Sequence, residues 1–247
     1  MGDFLLTYFF RHTDENIPFN KFSFSHFSLI IFLSLLIFII YKNRKIIADT
    51  YRIKMGFRYI LALFIIIEQV IYYIFFLGET NSTSDLLPVY TCRVALIFGF
   101  LGLLIDSSKL KTINVYWGSI GGILPILSPD ILPYKFPHAT VVCFFMAHYA
   151  IILCAAYFIF VENYDFSKKD LKFMYIFANF NLLAYIGYNF LDDANAGYLR
   201  YSPILTDFFA KWSIFLYIFL VLTIYNILIF IVYFLGSKWT GSLKAKE

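Results

Sequence analysis

Seven apolar runs divide the chain, at roughly 26–42, 57–77, 87–105, 113–132, 138–161, 171–190 and 205–235. Most are close to the roughly 20 residues that a helix needs to cross a bilayer. Lipid offers backbone polar groups no water, so such runs fold as helices that satisfy their own N–H and C=O groups. The expected fold is an all-α polytopic membrane protein, a seven-transmembrane-helix bundle. Of 247 residues, 61% are hydrophobic, 22% aromatic and only 15% charged, a balance that a water-soluble fold could not keep off its surface. No internal repeat interrupts the pattern, and no stretch between spans is long enough for a soluble domain.

Orientation follows from the loops. Lys42, Arg44, Lys45, Arg52, Lys54 and Arg58 lie between spans one and two, and Lys109 and Lys111 follow span three. Lys168, Lys169 and Lys172 follow span five, and Lys238, Lys244 and Lys246 close the chain. These segments alternate with loops carrying Glu79 and Asp85, then Asp130 with Lys135, then Asp192 and Asp193 with Arg200. The positive-inside bias places the amino terminus outside and the carboxyl terminus in the cytoplasm, as in a multi-pass protein of the cell membrane. It also accounts for the net charge of +4 without a nucleic-acid partner. The organisation expected is an N-terminal interfacial segment at 1–25, a single seven-helix transmembrane domain at 26–235 and a cytoplasmic basic tail at 236–247.

The first segment has neither the basic start nor the small-residue cleavage site of a signal peptide, and Leu6 stands where a myristoylation motif needs Ser or Thr. It is expected to form a short helix lying in the outer interface. Cys92, Cys143 and Cys154 all fall within apolar runs and show no paired spacing, so no disulfide framework, metal site or cofactor is implied.

The polar residues inside the spans carry the functional reading. Arg93 sits in the apolar run Leu86 to Ile105, where a charge costs about 3 kcal/mol or more and requires a polar interior and a partner. Glu68, in the middle of span two, is the other charge comparably deep and is the expected partner. At about 1.5 Å per residue, Cys92 and Arg93 lie roughly 8 to 9 Å from the outer surface and His148 about 15 Å down. Asn181, Tyr185, Tyr188 and Asp192 fall on one stripe of span six, while His26 opens span one at the same end. Asp207 and Lys211 fit an interfacial pair, and Gly118, Gly122 and Pro125 a close helix approach with a kink. Helix glue would also explain the Asn and Tyr residues, and packing would explain Cys92 or His148 taken alone. The candidate binding residues are His26, Glu68, Tyr90 and Arg93, with Tyr185, Tyr188 and Asn189 from span six. The candidate catalytic residues are Cys92 and His148.

Leu87-Pro88-Val89-Tyr90-Thr91-Cys92-Arg93 resembles the "LPLHLC" segment of the YwaF-like bacterial integral membrane proteins. Trp117-Gly118-Ser119-Ile120-Gly121-Gly122 followed by Ser128-Pro129-Asp130, Phe144-Phe145-Met146-Ala147-His148 and Ser25-His26-Phe27 resemble other short motifs of that family. The resemblance covers about 22–230. YwaF-like proteins are similar in turn to eukaryotic multi-span acyltransferases that move fatty acyl groups between phospholipids through a cysteine thioester in an Asn-Pro-Cys-His segment. Here Leu87-Pro88-Val89-Tyr90 stands at those positions, so that Cys and His are absent, and Cys92 lies one helical turn beyond.

Three function classes follow. In the first, an acyl-transfer or lipid-hydrolysing enzyme, Cys92 is the nucleophile, His148 the base, and Arg93 holds a phosphate or an oxyanion. The second is a transporter or small-ligand binder built on Glu68 and Arg93, and the third a structural subunit. A retinal-type light sensor is disfavoured, because Lys211 lies at the end of span seven rather than at its middle. The expected partner is membrane lipid, through phospholipid acyl chains; the sequence does not specify an oligomeric state.

Overall fold

The computed structural model describes residues 2–13, 15–78, 87, 89–192 and 194–244, with side chains from Leu6 to Gly241 within that set. Glu79, Asp85, Asp193 and Lys246, used above for orientation, and Pro88 of the resemblance lie outside the described residues, and the side chain of Lys244 is likewise not described. All regular structure among the described residues is helical. In chain order the elements are α1 (Gly2–Phe9), α2 (Phe24–Asp49), α3 (Tyr51–Gly78), α4 (Thr91–Leu104) and α5 (Ser108–Leu127). There follow α6 (Ala139–Phe160), α7 (Lys168–Leu191), a 3-10 turn (Ala196–Tyr198), α8 (Thr206–Phe209) and α9 (Ile214–Lys244).

Among the described residues, four stretches are long and apolar enough to cross a membrane: Phe24–Lys42, Tyr51–Gly78, Ala139–Phe160 and Ile214–Gly241. α4, at 14 residues, is about 21 Å long, short of a hydrocarbon core of about 30 Å. α5 and α7, at 20 and 24 residues, are long enough but carry charged residues in their first turns and amides further along, Asn114 in α5 and Asn179 and Asn181 in α7.

Local chemistry sets where these helices begin. Ser23 caps α2, its Oγ accepting from the His26 N–H at 3.3 Å. His138 caps α6, its Nδ1 accepting from the Thr140 N–H at 3.2 Å. At α7, Ser167 Oγ accepts from the Asp170 N–H at 3.1 Å and donates to its Oδ2 at 2.7 Å, a reciprocal cap. Two boundaries differ from the apolar runs. α2 continues beyond Lys42 to Asp49, because Lys, Arg, Ile and Ala all propagate a helix and no breaker intervenes. The seventh long helix starts at Ile214 rather than 205. Leu205 there has left-handed backbone, and only the single turn α8 precedes the break.

The chain divides into two compact units. Unit one comprises Met1–Asn81 and Ala95–Tyr164, and unit two Ser82–Val94 and Asp165–Glu247. In unit one α6 is the central helix, almost wholly buried from Ala139 to Phe158. α5 lies closest to it. A Cβ at Gly118 would stand 2.8 Å from Ile151 Cγ2, and one at Gly122 would stand 2.7 Å from Ile152 Cγ1. The two glycines one turn apart therefore let the backbones approach. α3 packs on α6 through the stacked rings of Phe57 and Tyr157, 5.7 Å apart. α2 meets α6 where the Tyr149 hydroxyl donates to the Leu29 carbonyl at 2.5 Å.

The N-terminal strand-like stretch is fastened to the 133–138 loop. Arg11 donates to Tyr8 O, Pro137 O and Lys135 O, and Glu15 Oε2 accepts from the Lys135 N–H at 2.7 Å. The Arg11 guanidinium beside Glu15 holds that exposed carboxyl below the usual carboxylate range.

Unit two is built on α7 and α9. Asn179 and Asn226 exchange amide hydrogen bonds of 2.9 and 3.2 Å, and Gly236 makes room for the Phe166 ring, which a Cβ would meet at 2.5 Å. Tyr217 of α9 donates to the Tyr198 carbonyl in the 3-10 turn at 2.7 Å.

Candidate functional site

Unit one holds His26, Glu68 and His148. Glu68 is fully buried on α3, its Oε2 accepting from Gln69 Nε2 at 2.5 Å. A carboxylate removed from solvent in an apolar helix is costly, which is why Glu68 is a site candidate on physical grounds. His148 is buried on α6, and its Nδ1 lies 2.6 Å from the Phe144 carbonyl. That carbonyl can only accept, so Nδ1 is the donor. His26 is fully buried with both ring nitrogens engaged: Nδ1 accepts from the Phe22 N–H at 3.0 Å, and Nε2 donates to the Ile126 carbonyl at 2.8 Å. Those bonds join the start of α2 to the end of α5.

A charged cluster at the other end of unit one was not legible in the sequence. Glu162, just past α6, is 8% exposed at its side chain and meets Lys111 Nζ at 2.6 Å and Arg58 Nη1 at 3.7 Å. Arg58 also donates from Nε to the Leu103 carbonyl at 2.6 Å, and Lys111 pairs with Asp106 at 2.5 Å. Burial disfavours the Lys111 ammonium, but Asp106 and Glu162 outweigh it and raise its pKa. The hydrogen bond from Lys111 lowers that of Asp106. One carboxylate thus joins the ends of α3, α5 and α6. Sequence spacing gives no way to choose Glu162 over Asp165 and Asp170, which follow the same span.

Unit two holds Tyr90, Cys92, Arg93, Tyr185, Tyr188 and Asn189. Cys92 is partly exposed, whereas Cys143 and Cys154 are buried. It lies in the first turn of α4 with Arg93 next to it. Two phenols lie within electrostatic reach of its sulfur, Tyr185 of α7 and Tyr225 of α9. The Tyr225 hydroxyl is also hydrogen-bonded to Thr91, the residue before Cys92. Tyr225 is absent from the polar stripe expected from sequence, because it sits in a long apolar run with nothing to mark its face. Tyr90 and Arg93 are half-buried at the start of α4.

Along α7 the stripe separates by role. Tyr185 is buried, one turn after Asn181 on the same helix. Tyr188 donates to Asp192 Oδ2. Asn189 clamps the 3-10 turn through both amide atoms, at 2.7 Å to the Ala196 N–H and 3.1 Å to its carbonyl. Of the expected residues, Cys92 and Tyr185 are therefore brought into one neighbourhood, while Tyr188 and Asn189 bond to the loop that follows α7.

Apolar spans, a buried carboxylate and polar groups gathered on otherwise apolar helices define a helical membrane protein. The chain belongs to the TMEM164 family, whose family model matches residues 21–234. No curated protein and no solved structure matches it.

Proposed function

We propose that this protein is a multi-pass protein of the cell membrane that transfers or hydrolyses acyl groups of phospholipids, with Cys92 as nucleophile. The observation that carries the reading is the setting of Cys92. It is the partly exposed cysteine of the three, in a helix first turn, beside Arg93 and near the hydroxyls of Tyr185 and Tyr225. The resemblance of 87–93 and the other short motifs to YwaF-like proteins, and through them to cysteine acyltransferases, points the same way. Seven helices overlap the seven apolar runs, four of them long and apolar enough to span, and the alternation of basic and acidic loops supports an outer amino terminus and a cytoplasmic carboxyl terminus.

The chemistry would run through a thioester. The Cys92 thiol gives its proton to water, and the thiolate sulfur attacks the ester carbonyl carbon of the lipid. Arg93 and the phenol O–H groups hold the oxyanion that develops. Collapse breaks the carbonyl carbon–oxygen bond, and the leaving alkoxide takes a proton from water as the lysolipid hydroxyl. A second lysolipid hydroxyl then attacks the thioester to give transfer, or water attacks to give hydrolysis, and either returns the thiol. Mixed micelles of phospholipid and a lysolipid with a distinguishable chain test the reading. Chain exchange, or fatty acid release, should occur with the wild type and not with Cys92→Ser.

A second reading, a transporter or small-ligand binder with Glu68 in its site, is favoured by one observation, the complete burial of Glu68 within α3. It would take precedence if lipid turnover were absent and Glu68→Gln abolished uptake or retention of a solute by reconstituted vesicles.

A further inference from the structure

The membrane-spanning stretch of α2 ends at Lys42, yet the helix continues to Asp49, and a single residue, Thr50, separates it from α3. Those seven residues extend the hairpin by about 10 Å, which is slightly more than the headgroup layer on one side of a bilayer, about 5–8 Å. The segment 42–58 that forms this tip carries six cations, Lys42, Arg44, Lys45, Arg52, Lys54 and Arg58, against one acid, Asp49. Two of the cations serve the fold. Arg58 is engaged by Leu103 and Glu162, and Arg44 lies over the Tyr41 ring and donates to its carbonyl at 2.9 Å.

Lys42, Lys45 and Arg52 are exposed and Lys54 is half-buried. Apolar side chains are interleaved with them: Ile46 is 59% exposed, Tyr51 75% and Ile53 44%. Lys42 itself lies against a ring, its Nζ 5.6 Å from the centre of Phe38, as a lysine does when its stem crosses apolar surface and its ammonium reaches the interface. The positive-inside bias explains the sign of this segment. It does not call for a folded helical tip with apolar and cationic side chains side by side, which is the pattern of a surface immersed among lipid headgroups.

We propose that the tip of the α2–α3 hairpin is a docking surface for anionic phospholipid headgroups, held by Lys42, Lys45, Arg52 and Lys54, with Ile46, Tyr51 and Ile53 seated at the acyl boundary. An acidic protein segment would match the charge but would leave those three apolar side chains in water. The inference does not rest on the chemistry assigned to Cys92, and the hairpin lies wholly within unit one.

The test uses the full chain purified in mild detergent and titrated with phosphatidylserine or, separately, phosphatidylcholine, with thermal unfolding as the readout. Phosphatidylserine should raise the midpoint, phosphatidylcholine should not, and the difference should shrink as salt is added. Each of the substitutions Lys42→Gln, Lys45→Gln, Arg52→Gln and Lys54→Gln should weaken the apparent affinity about fivefold, with the midpoint in phosphatidylcholine unchanged. Lys42→Arg with Lys45→Arg should keep the effect. Equal shifts from the two lipids would overturn the proposal, as would a quadruple variant that keeps the full shift. A soluble polyglutamate giving the same shift as phosphatidylserine would show instead a surface for acidic peptides. If the quadruple variant does not fold, spin-labelled phosphatidylserine decides with the wild type alone. The immobilised fraction should exceed that of the choline lipid and fall with salt, and equal fractions would contradict the proposal.

Discussion

Gly122 of α5 faces Ile152 of α6 so closely that a Cβ on the glycine would lie 2.7 Å from Ile152 Cγ1. That atom is part of a branched side chain on the buried central helix of unit one, with little freedom to withdraw. Gly122→Val should therefore destabilise the protein by about 1–3 kcal/mol, the usual cost of overpacking. Adding Ile152→Ala should recover part of the loss. Thermal unfolding in detergent checks both, and equal midpoints for Gly122→Val and wild type would mean that α5 can move away.

Glu162 should be the most sensitive charged position in unit one. Replacing it by Gln leaves Arg58 and Lys111 buried without their shared carboxylate, a loss of about 3–5 kcal/mol for a buried pair broken from one side. The triple variant Arg58→Met, Glu162→Gln, Lys111→Met should lose less than Glu162→Gln alone. Expression and unfolding midpoints give the comparison, and a triple variant worse than the single would indicate that the cluster acts beyond charge compensation.

The same cluster sets a pH window. Asp106 has its pKa lowered by Lys111, so its contribution is present above the ordinary carboxylate value and is lost as pH falls through the lowered one. Lys111 has its pKa raised, so its contribution is present below the ordinary lysine value and is lost as pH rises through the raised one. Stability should be flat between about pH 5 and 10 as far as this pair is concerned. Asp106→Asn should flatten only the acid limb that the pair contributes, and Glu15→Gln should act on the same limb through Arg11. Midpoints recorded from pH 3 to 8 would show it; unchanged acid limbs in both variants would contradict the assignment.

Much of the fold was legible in the apolar runs, since each long helix has one, and the alternation of charged loops was legible in the same way. The ends were harder. Nothing in Lys42 to Asp49 marks the exit of α2 from an apolar environment as the end of a helix, because basic residues propagate helices well. Conversely the run at 205–235 hid a break near Ser213, because an apolar loop and an apolar helix have the same composition. Gly118 and Gly122 were readable as a close approach, and Ile151 and Ile152 were not, because the partner face depends on the packing of α5 on α6. Glu162 and Tyr225 were missed for a related reason. Arg58 and Lys111 reach Glu162 from positions 104 and 51 residues earlier, and such spacing carries no sequence signal.

The topology has its own check. An alkaline phosphatase fused after Glu247, active only outside the membrane, should stay silent, while a cytoplasmic reporter at the same place should be active. An active phosphatase would reverse the orientation or change the number of spans.

The most direct measurement is the intact mass of the purified full-length protein after incubation with phospholipid. The account predicts an added acyl group on Cys92 that hydroxylamine removes and no adduct with Cys92→Ser while the protein stays folded. No acyl shift on any cysteine across several phospholipid classes would contradict a thioester mechanism at Cys92.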